Sequence, residues 1–182
     1  MQGSVVPSKY ICAGTEYSTK TSWVAAPLFR KKFFLSNQQY ETILDATITI
    51  GVCGFYELYL NGQPITKGKL APYICALDDL IYYDLVSIAD RLRAGENTLG
   101  IWLGNGLRNN PGGALWGFDQ ARWRGSPCFA LELSIRFADG TEMHLCSDET
   151  FLTADSPILF DDYRIGEVYD ANLATPGGSL PD

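Results

Sequence analysis

Apolar and polar residues alternate with a period of two through much of the chain. Leu44, Ala46, Ile48, Ile50 and Val52 fall on one side of an extended segment, and Asp45, Thr47, Thr49 and Gly51 on the other. Successive side chains of a strand point to opposite faces, so this pattern predicts a half-buried strand. Tyr56, Leu58 and Leu60 repeat it and run into Asn61-Gly62, a pair that tolerates the positive φ of a type I′ hairpin. Leu99, Ile101 and Leu103 form another such row. The cleanest is Phe129, Leu131, Leu133, Ile135 and Phe137, which ends at Ala138-Asp139-Gly140. Glu142 to Cys146 then returns as its partner, with Met143 and Leu145 inward and His144 outward.

Helical signal is scarce. Ser87 is placed to cap one short helix from Ile88 to Leu92, stopped by Gly95. The remainder reads as strands joined by turns bearing Gly and Pro. The expected fold is therefore all-β, a jelly-roll β-sandwich with one short helix, rather than a parallel α/β fold. Patterning starts at Ser22-Trp23-Val24, so residues 1–21 are expected to form an N-terminal arm, partly ordered at best. Residues 22–172 form the sandwich. Residues 173–182, with Pro176-Gly177-Gly178-Ser179, read as a linker toward a C-terminal part outside the chain.

Composition narrows the classes of partner. Fourteen Lys and Arg against 21 Asp and Glu leave a formal charge of −7, the wrong sign for nucleic acid or an anionic membrane surface. A neutral ligand such as a sugar is compatible with it. The five cysteines, Cys12, Cys53, Cys75, Cys128 and Cys146, are odd in number and have no C-x-x-C spacing. This disfavours both a disulfide framework and a zinc site. The start lacks a basic region followed by an apolar run, and no apolar stretch is long enough to span a bilayer. A cytoplasmic, reducing location is the expectation.

Candidate chemistry concentrates in two places. The densest acidic cluster is Asp161, Asp162, Glu167 and Asp170. It reads as a solvated turn and edge strand rather than as an acid/base pair. His144, the single histidine, has no triad partner in the pattern. Gly104-Asn105-Gly106 and Gly112-Gly113 lack the Lys and helix of a phosphate loop. No catalytic residue is assigned. The stretch 105–123 is the better candidate. It carries amides (Asn105, Asn109, Asn110), a carboxylate (Asp119), guanidinium groups (Arg108, Arg122) and rings (Trp116, Phe118, Trp123). Sugar C–H faces pack on rings, and vicinal hydroxyls need fixed planar donors and acceptors. Asn105, Asn109, Asn110, Trp116, Asp119 and Trp123 are therefore the candidate carbohydrate contacts. The competing reading is a self-packed loop, its rings folded over the core with Arg122 or Arg124 stacked on them.

Several segments resemble the N-terminal domain of bacterial α-L-rhamnosidases. They are Leu28-Phe29-Arg30-Lys31-Lys32-Phe33 after Trp23 and Pro27; Gly54-Phe55-Tyr56-Glu57-Leu58-Tyr59-Leu60-Asn61-Gly62 with Leu70-Ala71-Pro72; Tyr83-Asp84-Leu85 leading through Gly95 to Gly106; and Gly166-Glu167-Val168-Tyr169-Asp170-Ala171. The resemblance spans about residues 22 to 178, and four motifs in order make it specific. It departs at Leu107, where the family often has an aromatic residue. It implies a galactose-binding-domain-like accessory sandwich of a glycoside hydrolase family 78-like enzyme. Hydrolysis would then occur in a separate helical (α/α)-barrel domain, so the fragment itself is not expected to be an enzyme. Two roles stay open. One is assistance to recognition of carbohydrate, L-rhamnose-containing in particular. The other is a purely structural domain packed on C-terminal domains of the parent chain. No cofactor is expected. Calcium is the alternative, held by Asp119 or Asp161 with backbone carbonyls, since it wants several oxygens.

Overall fold

The structure, a computed structural model, describes residues 8–66, 68–110, 117 and 120–173. In chain order the elements are β1 (Pro27–Leu35), α1 (Asn37–Glu41), β2 (Ile43–Cys53), β3 (Phe55–Leu60), β4 (Gln63–Pro64), β5 (Tyr83–Ser87), β6 (Gly95–Gly104), β7 (Cys128–Phe137), β8 (Glu142–Cys146), β9 (Leu152–Asp155), β10 (Ile158–Asp162) and β11 (Gly166–Tyr169). One sheet has the order β4-β3-β6-β1-β9 and another β5-β2-β7-β8, while β10 and β11 form a separate hairpin. Every strand pairing is antiparallel. The protein is thus mostly β, as the alternation implies.

The core lies between the two larger sheets. Phe29, Phe33 and Leu35 of β1, Leu58 and Leu60 of β3, and Leu99, Ile101 and Leu103 of β6 line one inner face. Ala46, Ile48, Ile50 and Val52 of β2 and Phe129 through Phe137, in alternate positions along β7, line the other. Phe29 meets Phe129 edge to face, with ring centroids 5.0 Å apart, a favoured aromatic geometry. A polar bond also crosses toward the opposite sheet: the buried Tyr56 hydroxyl donates to Asp84 Oδ2 at 2.8 Å. Burial and that carboxylate together hold the Tyr56 phenol above its ordinary range.

Three expectations from the pattern change in detail. Leu44 does not share the inward face of β2, and is 63% exposed. A register shift between Ile43 and Asp45 against β7 breaks the alternation there. The helix expected over Ile88 to Leu92 is only a 3-10 turn, Ala89–Arg91, and Ser87 does not cap it. Ser87 instead ends β5, and Ile88 N–H donates to Ala46 O at 2.9 Å, extending the ladder. Among the described residues the one α-helix is α1, capped by Ser36. There Gln39 N–H donates to Ser36 Oγ at 3.2 Å and Ser36 N–H to Gln39 Oε1 at 3.0 Å, a capping box.

Turns follow their local chemistry. Asn61 and Gly62 have φ of 53° and 76°, as a type I′ turn requires. Asn61 also belongs to a buried network. Its Nδ2 donates to Asn97 Oδ1 at 2.9 Å, while fully buried Asn97 donates to Arg93 O at 2.7 Å and accepts from Arg93 N–H at 3.1 Å. This ties the β3–β4 turn to the entry of β6. On the opposite sheet, exposed His144 bonds Glu132 at 3.0 Å and Glu142 at 3.1 Å, and the Glu132 bond leads in holding its pKa above the usual value. All five cysteines are thiols.

Residues 8–11 run along the four-stranded sheet. Ile11 exchanges backbone bonds with Phe129 at 2.9 and 3.1 Å, Ser8 Oγ donates to Leu131 O at 2.7 Å, and Ser147 Oγ donates to Lys9 O at 2.7 Å. Residues 174–182, most of the expected linker, lie outside the described residues. Replacing Asn97 by Ala strands Arg93 N–H without its acceptor and leaves Asn61 Nδ2 only the longer bond to Arg91 O at 3.3 Å. The expected loss is about 1–3 kcal/mol in chemical denaturation; a change below about 0.5 kcal/mol would show that water replaces the amide.

Candidate functional site

The loop after β6 is built from buried polar groups. Asn105, Asn109 and Asn110 are all at most 2% exposed. Asn105 Nδ2 donates to Val24 O at 3.1 Å and to Asp161 Oδ1, and Asn105 N–H donates to Asp161 Oδ2 at 2.7 Å. Asn109 Nδ2 donates to Asn105 Oδ1 at 2.5 Å, and Asn109 Oδ1 accepts from Ser18 N–H at 2.5 Å. Asn110 Nδ2 donates to Asp162 Oδ2 at 2.7 Å. The three amides named as sugar contacts thus bond the loop to the arm and to the β10–β11 hairpin. Trp123 is half-buried, and its carbonyl accepts from Arg108 Nη1 at 2.9 Å. Trp116 and Asp119 lie outside the described residues. Arg124 stacks on Tyr17 of the arm, 5.3 Å from the ring centroid, and donates to Ser18 O and Asn110 O at 2.6 Å each.

Asp161 and Asp162, which this polar joint holds, line an open groove of about 590 Å³. The floor is the outer face of the five-stranded sheet. Phe55 and Glu57 of β3 and Trp102 and Gly104 of β6 lie there, because Tyr56, Leu58, Ile101 and Leu103 take the inner face. Glu57 and Trp102 are direct cross-strand partners. Tyr59 sits beside Trp102, with ring centroids 6.1 Å apart. One rim is the 68–72 loop, which places Lys69 and Leu70 over the floor. Leu70 has φ of 58°, a left-handed conformation that costs a leucine about 1–2 kcal/mol. The other rim is the β10–β11 hairpin, with Ile158, Asp161, Asp162, Tyr163, Glu167 and Tyr169.

The acidic groups along the groove differ in environment. Burial acts to raise the Glu57 pKa, but bonds from Lys69 and from the Tyr59 hydroxyl at 2.5 Å outweigh it and hold Glu57 below its ordinary range. Asp162, 5% exposed, is likewise held low: Arg164 N–H at 2.7 Å and the Arg164 guanidinium overcome its burial. Asp161 goes the other way. Burial raises it, and the two Asn105 bonds only partly oppose that. Glu167 stands directly opposite it across the hairpin, and its charge pushes the same way. A Cβ at Gly104 would press on Phe55 Cβ at 3.1 Å, while its 3.4 Å distance from Asp161 Oδ2 is ordinary contact. The cluster read as a solvated turn is therefore half structural: Asp162 is buried and Asp161 is mostly so, while Glu167 is exposed. Among the described residues, no group of three or more His, Cys, Asp or Glu side chains is placed to hold a metal ion.

Comparison with known proteins places this architecture. The model of the "Alpha-L-rhamnosidase N-terminal domain" family matches residues 41–181. The chain belongs to this family. An α-L-rhamnosidase of Formosa agariphila is 32% identical over 169 residues, covering 91% of this chain and 17% of its own length. The α-L-rhamnosidase structure from Dictyoglumus thermophilum superposes with a TM-score of 0.79 at 26% identity, covering 97% of this chain and 20% of that one. That of Streptomyces avermitilis α-L-rhamnosidase complexed with L-rhamnose gives 0.75 at 25% identity, covering 86% and 15%. The chain thus spans about a sixth to a fifth of these relatives. It is an α-L-rhamnosidase N-terminal domain in family and in fold.

Of the residues lining the groove, Glu57, Trp102 and Tyr163 have no assigned role in the sequence pattern, and Glu167 stands there only in the acidic cluster expected to be a solvated turn. One signal was available: Trp102 alternates with Ile101 and Leu103, so it must face outward from a strand that is otherwise core. Asp161 releases its proton at higher pH folded than unfolded. It therefore costs stability as pH rises from the usual aspartate range through its raised value. Glu167→Gln removes the facing charge. The Asp161 carboxyl midpoint, followed by carbon NMR, should move down, and stability at pH 7 should rise by at most about 0.5 kcal/mol. An unmoved midpoint would show that the two carboxylates do not interact.

Proposed function

We propose that this α-L-rhamnosidase N-terminal domain assists a parent glycoside hydrolase by holding carbohydrate in the groove over Trp102. The observation that carries the reading is the outward Trp102 ring on the groove floor, with the Glu57 carboxylate beside it and Asp161 and Glu167 on the wall. An apolar platform edged by fixed planar acceptors suits a pyranose, which offers a C–H face and a rim of hydroxyl donors. The rhamnosidase relatives point to rhamnose-containing saccharides as the ligand. Hydrolysis is assigned to other parts of the parent. The buried asparagines then act indirectly: Asn105 fixes the Asp161 carboxylate, and Asn109 and Asn110 fix the loop and hairpin that frame it.

A second reading, packing against the parent's other domains, draws on exposed Ile165, Val168, Tyr169 and Leu173 around the hairpin. These form apolar surface of the kind that neighbouring domains cover. The two readings separate in solution. Titrating the isotope-labelled 182-residue chain with methyl α-L-rhamnoside should give saturable shifts at Trp102, Glu57 and Asp161 at millimolar sugar. Trp102→Ala should weaken binding at least about tenfold, and the chain should release no phenol from an aryl rhamnoside. Absence of any saturable shift would leave packing as the role of this domain.

A further inference from the structure

We infer that the Asp161–Glu167 pair makes the groove selective for neutral sugars bearing vicinal hydroxyls over uronic acids and other anionic saccharides. This rests on the carbohydrate-binding reading above. The two residues are register partners across β10 and β11, where like charges directly opposite destabilise a hairpin. The other carboxylates of the groove are offset by cations, Glu57 by Lys69 and Asp162 by Arg164. Among the described residues no ion pair joins Asp161 or Glu167 to a cation. Both Asp161 oxygens accept a bond from Asn105, and each keeps a second lone pair for a further donor. Glu167 is exposed and carries its acceptors at the rim.

A vicinal diol answers this arrangement. Its two O–H groups donate to neighbouring acceptors without adding charge, and each becomes a charge-assisted hydrogen bond. A uronate brings a third negative charge to a wall already holding two, in a groove whose protein sides weaken solvent screening. The geometry therefore discriminates by charge more than by size.

Three methyl α-L-glycosides of one configuration test this. They carry at C6 a methyl group (the rhamnoside), a hydroxymethyl group (the mannoside) or a carboxylate (the mannuronide). Each is titrated into the labelled chain at pH 7 and low salt. The expected order is rhamnoside and mannoside within about threefold of one another, with the mannuronide weaker by at least about fivefold. Glu167→Gln should shrink that gap to about twofold, and 0.5 M NaCl should shrink it in wild type by shortening the Debye length. Equal affinity for mannoside and mannuronide, or a gap unmoved by Glu167→Gln, overturns the charge selection while leaving sugar binding intact. Failure of all three to bind overturns the binding reading and this inference with it.

Discussion

Strand β6 has to satisfy two surfaces at once, and the rest of the molecule is arranged around that. It lies in the middle of the five-stranded sheet, paired to β3 on one side and β1 on the other. Its odd-numbered residues Leu99, Ile101 and Leu103 are at most 2% exposed. Its even-numbered residues Trp102 and Gly104 floor the groove. A one-residue slip would put Trp102 into a core packed for leucine and isoleucine and would turn three aliphatic side chains to water. The energy that fixes the sandwich therefore also fixes the direction of Trp102. The groove needs no separate device to hold its floor.

Its walls do. Loops and hairpins bring buried backbone and carboxylates, which are tolerated only when they are bonded. The joint between the 105–110 loop and the hairpin meets this demand with amides. Asparagine supplies donors and an acceptor on one short rigid side chain, and Asn105 uses its backbone N–H as well as its side chain on Asp161. Arg108 closes the far side, donating to Ser126 O at 2.8 Å and Trp123 O at 2.9 Å. The arm contributes Ser18, whose N–H and carbonyl are both taken up by this joint. Residues with no strand pattern of their own thus help complete the site's support.

What was legible in the sequence follows from the range of the interaction. Phe129 through Phe137 and the Asn61-Gly62 turn are read correctly because alternation and turn chemistry are local. Leu44 is misplaced because a register shift is a property of two strands, and only one strand is visible in a periodicity. Ser36 and Gln39 carried a capping signature, but a five-residue helix leaves no apolar period behind it. The asparagines show a deeper ambiguity. An amide that can hold a sugar hydroxyl can equally hold a carboxylate or a backbone group, and residue type alone does not say which partner arrives first. Glu57, Trp102 and Glu167 meet only through the β3–β6 pairing and through a hairpin some sixty residues later in the chain.

Asp161 and Asp162 show why the groove wall can hold an uncompensated charge at all. They are adjacent in sequence and on opposite sides of β10, and their protonation responds to folding in opposite directions. Asp162, bonded to Arg164 and Asn110, holds its proton less tightly folded than unfolded. It contributes stability above the ordinary aspartate pKa, and that contribution is lost as pH falls through its lowered value. Asp161 holds its proton more tightly folded, so it subtracts stability as pH rises through its raised value. Near neutrality the bonded neighbour offsets part of the cost of the strained one. The facing Asp161 and Glu167 charges weaken the hairpin slightly, and Asp162 anchors it to the loop from the other face. The wall can then present its two carboxylates to a ligand.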